Sequence, residues 1–242
     1  MKVIDAFWEK RNLGVDTAEF EIEPGDTAES VADIIRSSEK GYNTVKIPGE
    51  RSDLNKLMND LGYIYIETSF HLINNLRAVS LNSIQKRMTD CVNYEKMDDN
   101  DTDILFSEIE KGMFTTDRIA LNPCFGIEKA NKRYVNWIKD ESGRNTELYK
   151  LIYKNDAIGF FTFKETEKDV YYPFLAGMYE KFRHSGLGIN IVIKPLEEAR
   201  RRNGRMTSTY VVSNNLSSLT ANLEFGYKIQ SFNNIFYKNN EV

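Results

Sequence analysis

The sequence predicts an α+β protein in which a small α/β unit, residues 1–80, precedes a larger domain, residues 81–242, built on a mixed, mostly antiparallel central sheet flanked by helices. Three observations carry this reading. Strand-like and helix-like periodicities alternate through the first seventy residues. Three strand-like runs follow one another between 147 and 179. A glycine-lined turn, RHSGLG at 183–188, then leads into a long amphipathic stretch.

In chain order, TAEFEI (17–22) alternates as a half-buried strand does. PGDTAESVADIIRSSEKG follows as a helix, with Asp26 and Glu29 expected as its capping box and Gly41 as its stop. YNTVKI is a second strand. In ERSDLNKLMNDLG, Ser52 is placed to cap a helix, Leu54, Leu57, Met58 and Leu61 share one face, and Gly62 ends it. YIYIETSFHLI is a third strand. This βαβαβ unit is too short to bury a large core alone and is expected to pack on the rest.

The polar stretch over residues 73–90 reads as a bridge between the two parts. VNYEKM is then a strand, and DDNDTDILFSEIEKG a helix whose first turn is rich in aspartate, as the helix dipole favours. IEKANKRYVNWIKDE is an amphipathic helix with Ala130, Tyr134, Trp137 and Ile138 on one side. ELYKLIYKND and AIGFFTFKE are strands joined by a tight turn at Asn155–Asp156, and DVYYPFLAGMY (169–179) completes an antiparallel meander. The helix after the glycine turn is expected from about Gly186 to Asn203, burying Ile189, Val192, Ile193, Leu196 and Ala199, with Pro195 bending its axis. MTSTYVV is a strand and NNLSSLTANLEFGY a short helix ending at Gly226. KIQSFNNIFYK reads as a closing hairpin that turns at Asn233–Asn234.

Composition narrows the function. The chain carries 32 basic and 36 acidic side chains, a net charge of −4, with neither sign dominating one half, so a broad nucleic-acid face is not expected. Two cysteines, Cys91 and Cys124, make neither a disulfide framework nor metal spacing, and two distant histidines add no zinc site. The polar start MKVIDAFWEKRN and the lack of a membrane-length apolar run point to a cytoplasmic protein without a membrane partner.

The glycine turn has a physical use. The first amides of a helix have no internal partner, and the helix's positive end together with Arg183 makes an anion site suited to phosphate. Gly186 and Gly188 let a ligand approach those amides without meeting a Cβ, although glycines also serve strand-to-helix turns that bind nothing. The turn lacks the GxxxxGK[ST] of nucleoside-triphosphate loops and the full GxGxxG of dinucleotide folds.

FRHSGLG (182–188), followed by Asn215, Ser218 and the FGY at 225–227, resembles the GCN5-related N-acetyltransferase superfamily over roughly residues 90–240. In addition, FWEKRNLGVDTAEFEI (7–22), GYIYIETSF (62–70) and FTTDRIALNPCFGIEKANKRYVNWIKD (114–140) look like the dTDP-fucosamine acetyltransferase type. The resemblance implies an enzyme that moves acetyl from acetyl-coenzyme A to a primary amine, here on a nucleotide-linked amino sugar. A peptide or other small amine, or a weakly catalytic binding protein of the same fold, remain alternatives. It implies a monomer or homodimer acting on a small molecule. It also implies that the amides of His184, Ser185, Gly186, Leu187 and Gly188 cradle the pyrophosphate beside Arg183, and that Leu175 to Tyr179 line the pantetheine arm. A main-chain N–H near Met178 would face the thioester, and Asn215 and Asn222 would meet the cofactor from the following helix.

Two positions depart from the family pattern. Glu180 stands where a proline is usual, and Asn222 where a tyrosine often protonates the leaving thiolate. An amide can donate a hydrogen bond but cannot titrate as an acid near neutrality. Tyr210, on the strand after the main helix, is the substitute donor offered by the sequence, with a core tyrosine as the plainer reading, and His184 is a candidate base or simply a neighbour of the pyrophosphate. Asp117 and Arg118 fall in the loop expected over the acceptor, where an exposed ion pair would account for them equally. The aromatics Tyr171, Tyr172 and Phe174, the cluster ARRRNGR (199–205), and Trp8 and Trp137 are read first as packing or helix-end residues.

Overall fold

The computed structural model describes residues 1–77 and 79–240. Among the described residues, eleven strands form one sheet and eight α-helices flank it. The first part runs β1 (Lys2–Asp5), α1 (Glu9–Leu13), β2 (Thr17–Glu21), α2 (Ala28–Arg36), β3 (Tyr42–Pro48), α3 (Ser52–Asp60) and β4 (Ile64–Asn74). Then come α4 (Ser83–Asp90), β5 (Asn93–Lys96), α5 (Asp99–Glu110), α6 (Gly126–Ser142), β6 (Glu147–Tyr153), β7 (Asp156–Glu167), β8 (Val170–Tyr172) and β9 (Ala176–Met178). The chain closes with α7 (Asn190–Arg201), β10 (Met206–Val212), α8 (Leu216–Glu224) and β11 (Lys228–Asn239).

The strand order is β1-β2-β3-β11-β4-β10-β8-β7-β6-β5, with β9 paired to β7. Its middle reads the same from either side. β2 is parallel to β3, as β8 is to β10, and β3 meets β11 antiparallel, as β10 meets β4. The antiparallel β4–β11 pair lies at the centre. Two β-α-β-α-β repeats, β2-α2-β3-α3-β4 and β8-α7-β10-α8-β11, have thus exchanged their last strands. A register slip of one residue would turn apolar faces to water, so each strand is fixed by its alternation. On β10, Val211 joins the core under α7 and α8 with Leu72, Val192, Leu196 and Phe225, while Tyr210 points to the other face.

Several local expectations are corrected. The capping box of α2 is Thr27 with Ser30, not Asp26 with Glu29, because Asp26 instead binds the Met1 ammonium and the Glu23 N–H. Ser52 is the first residue of α3 and supplies no cap. Residues 73–90 contain a helix, α4, started by an Asn82–Gln85 capping box. The β6–β7 turn sits on Lys154 and Asn155, both at positive φ (50° and 70°), one residue earlier than expected. The third meander strand is broken into β8 and β9, and α7 starts at Asn190 after a single 3-10 turn over Leu187–Ile189. Finally, β11 does not turn at Asn233–Asn234: both residues pair with β3 on one side and β4 on the other, so the strand runs straight through.

Candidate active site

The break between β8 and β9 creates the site. Pro173 cannot donate to a ladder, and the next two N–H groups, of Phe174 and Leu175, both go to the Thr162 hydroxyl at 3.1 and 2.9 Å. That hydroxyl donates in turn to the Leu175 carbonyl. The chain therefore follows β7 as β9 while β10 continues beside β4, and a gap opens between β9 and β10. Thr162 N–H bonds the Leu175 carbonyl and Tyr179 N–H bonds the Ile158 carbonyl, so residues 175 and 179 spend their backbone groups on β7. By strand alternation the N–H groups of Ala176 and Met178 point into the gap.

A cavity of about 270 Å³ occupies this gap and crosses the sheet. On one face it touches Ile191, Val192 and Pro195 of α7 and Asn215, Ser218 and Asn222 of α8. On the other it reaches Glu67 of β4, Asp117 and Arg118 of the loop before α6, and Arg133, Tyr134 and Trp137 of α6. Pro195 is buried in α7 and, lacking an N–H, leaves the Ile191 carbonyl without its usual helical donor beside the cavity.

The glycine turn lies at the start of α7. Ile189, at the helix's N-cap position, makes no side-chain cap. Ser185 N–H bonds the Phe182 carbonyl and Leu187 N–H bonds the Ser185 hydroxyl, so part of the turn is held by its own groups. The two glycines differ. Gly186 has φ +80° and a Cβ there would come within 3.1 Å of Met88 Cε, so the fold itself requires glycine. At Gly188 the nearest atom to a Cβ would be Met178 Cγ at 4.0 Å, and no positive φ demands it. Packing does not explain Gly188, whereas a ligand pressed to the backbone would.

No protein-family model matches the chain, and no curated protein matches it in sequence. Solved structures do match. A GCN5-related N-acetyltransferase from Sphaerobacter thermophilus superposes with a TM-score of 0.62 at 12% identity, over 98% of this chain and 75% of that one. A functionally unknown conserved protein from Staphylococcus epidermidis gives 0.61 at 14%, over 93% and 85%. A tandem GNAT protein from the clavulanic acid biosynthesis pathway gives 0.57 at 12%, over 92% and 74%. The fold is that of the GCN5-related N-acetyltransferases. The resemblance seen in the sequence from residue 90 onward thus extends, as fold, across the first repeat.

Within this acetyltransferase fold the predicted residues fall into three places. Leu175, Asn215, Asn222 and Tyr210 line the cavity. Met178 and Tyr179 sit on or beside β9, next to the gap. Arg183, His184, Ser185, Gly186, Leu187 and Gly188 lie outside the cavity lining, in the turn ahead of α7, with the Arg183 guanidinium donating to the Gly112 carbonyl at 3.0 Å. Asn215 caps α8 by accepting the Ser218 N–H, and the buried Asn222 amide donates to the Ser218 carbonyl. Tyr210 is not a core residue: it is half exposed, stacks on His71 at 4.7 Å, and lies on the face of the sheet opposite Asn222.

Sequence reasoning expected Asp117 and Arg118 near the acceptor and missed Glu67 and Arg133, which share the polar chamber on that second face with them. Arg133 pairs with Glu9 at 2.6 Å, and Arg118 with Glu19 at 2.9 Å. Burial alone would raise Glu19, yet Arg118 and Lys46 outweigh it and hold the carboxyl at about 2. Asp117 is not in an exposed ion pair: its carboxylate accepts the N–H groups of Ile119 and Ala120. Glu67 is buried, one of its oxygens has no partner, and burial pushes its carboxyl up to about 7. The signal for Glu67 was a lone acid inside the apolar strand run YIYIETSF, but nothing in the sequence said which face of which strand it would occupy.

Proposed function

We propose that this chain is an acyl-coenzyme A-dependent N-acetyltransferase that acetylates a primary amine. The observation that carries the reading is the gap between β9 and β10, with a cavity that passes through the sheet from the α7–α8 face to a separate polar chamber. Such a passage lets an extended acyl carrier enter from one face and an acceptor from the other. The residues fit the carrier: the N–H groups of Ala176 and Met178, turned away from β7, face the gap like the edge of a strand, and Gly188 leaves room at an α7 end without a side-chain cap.

Acetyl-coenzyme A would supply a thioester already activated toward amines. The chain's part is to hold and orient. The Met178 N–H, turned away from β7, would bind the thioester oxygen, where negative charge grows during attack. Asn215, Asn222 and Ser218 would flank the arm from α8. Asn222 has no acidic proton, and Tyr210 stands on the acceptor side, so the thiolate's proton is best taken from the incoming nitrogen itself.

The acceptor we favour is the amino group of a nucleotide-linked sugar. What supports it is the resemblance of residues 7–22, 62–70 and 114–140, segments that contribute Glu67, Asp117, Arg118, Arg133 and Trp137 to the chamber. Titration calorimetry with acetyl-coenzyme A and coenzyme A tests the cofactor, and product mass with dTDP- and UDP-amino sugars, polyamines and peptides tests the acceptor. Saturable binding and an acetylated amino sugar are expected. No heat from folded protein would end the acetyltransferase reading, and acetylation of peptide amines alone would end the sugar one.

A further inference from the structure

We infer that Glu67, carried on the exchanged strand of the first repeat, receives the acceptor's ammonium and takes its proton; this rests on the acetyltransferase reading above. Glu67 lies on β4, between β10 and β11, and lines the chamber end of the cavity. It is 2% exposed, and its Oε2 is buried without a hydrogen-bond partner. A buried carboxylate left unpaired costs free energy that a bound cation would recover.

Most of the charges facing it have partners of their own, although the buried Arg118 Nε has none. From the loop come Arg118, tied to Glu19, and Asp117, tied to two backbone N–H groups. From α6 come Arg133, tied to Glu9, and the Tyr134 phenol, and from β8 and β10 the phenols of Tyr172 and Tyr210. Lys46 sits behind, 3.3 Å from Glu19. Among the described residues, then, neither chamber acid has a cation within salt-bridge reach, but Asp117 is spent on backbone N–H groups, which leaves Glu67 Oε2 as the acid oxygen without a partner. The remaining wall is aromatic, with Phe114, Tyr134, Trp137, Tyr172 and Phe174, and ring faces attract an ammonium. A primary ammonium is the ligand these groups fit.

The step balances simply. The ammonium gives one proton to Glu67, and the neutral nitrogen forms the C–N bond to the acetyl carbon. The C–S bond breaks, and the second proton lost from nitrogen goes to sulfur. Glu67 then returns its proton to water. Burial holds the carboxyl high enough to keep a proton near neutrality, where a base for this step is most useful.

Two measurements on Glu67→Gln test this. The first is melting temperature against pH, without ligand. A carboxyl whose folded pKa is raised from 4.5 to about 7 favours the folded state fully below the unfolded value, and loses that contribution as pH rises through the folded one. Wild type and variant should therefore melt alike near pH 4.5, with the variant higher at pH 8. Equal differences at both pH values overturn the placement of an unpaired carboxylate.

The second is acetyl transfer to D-glucosamine and to hydroxylamine, which is already neutral at pH 7. With the amino sugar, Glu67→Gln should lose roughly 100-fold or more in kcat/KM, together with the acid limb of its pH profile. Hydroxylamine should lose far less, and acetyl-coenzyme A affinity should be unchanged. Equal losses with both nucleophiles, or no loss, overturn the proton-acceptor role. Failure of wild type to bind acetyl-coenzyme A would instead fault the acetyltransferase reading, while the melting curves would still decide the carboxyl.

Discussion

The two repeats share a path but treat the equivalent junction in opposite ways. In the first, β2 and β3 stay in register over five residue pairs, from Thr17–Tyr42 to Glu21–Lys46, and no gap opens. In the second, β8 pairs with β10 only at Val170 and Tyr171 before the chain leaves for β7. The helices that follow differ just as sharply. The start of α2 is closed by the Thr27–Ser30 box and flanked by Glu23 and Asp26, which hold the Met1 ammonium. The start of α7 has no side-chain cap and is preceded by glycines. One repeat has satisfied its helix end with its own side chains and turned acid toward it. The other has left its helix end without a side-chain cap and with open space at Gly188. Same architecture, then, does not mean same helix end: the break at 173–175 and the cap set the two halves apart.

That contrast can be broken most visibly at Gly188. Gly188→Val should weaken acetyl-coenzyme A at least tenfold by calorimetry, about 1.4 kcal/mol, with melting close to wild type. Gly186→Val should behave the other way, losing stability first, because a side chain at φ +80° costs about 1–2 kcal/mol before the Met88 contact is counted. If both variants bind normally once folded, the turn is structural and the repeats differ only in shape. In the first repeat, Thr27→Ala should cost about 1 kcal/mol in denaturant unfolding and leave cofactor affinity untouched. A change in affinity there would show that both helix ends serve the ligand. The smallest effect is expected at Arg183→Ala, a few-fold weakening that fades as salt is added, since the side chain is exposed and already bonded to the Gly112 carbonyl.

Much of the second repeat was legible because its signals are local. The glycine turn, the apolar stripe of Val192, Ile193, Leu196 and Ala199, and the alternation of MTSTYVV each state their own conformation. What escaped depends on partners distant in sequence. β11 looked like a hairpin because Asn233–Asn234 suits a turn, and only the presence of β3 and β4 on its two sides keeps it extended. The short α1 has no side-chain cap and is held by tertiary burial of Leu13 and by the Glu9–Arg133 pair. α4 did carry a readable signal, the Asn82–Gln85 box, inside a stretch whose polarity suggested a linker. Pro173 likewise marked the break in the meander. Glu67 was the least readable of all, since its place in the chamber comes from a strand that leaves one repeat to sit in the other.

That exchange also sets an order of events for a chain emerging from the ribosome. β3 has β2 on one edge, and its other edge waits for β11, whose Phe236 completes the core of Val45, Leu54 and Met58. The chain must be made through Phe236 before that core can shut. Pairings between such distant segments form late and slowly, and until they form, an apolar sheet edge stands open to other chains. Truncation within the last twelve-residue strand should therefore unravel the beginning of the protein as surely as its end.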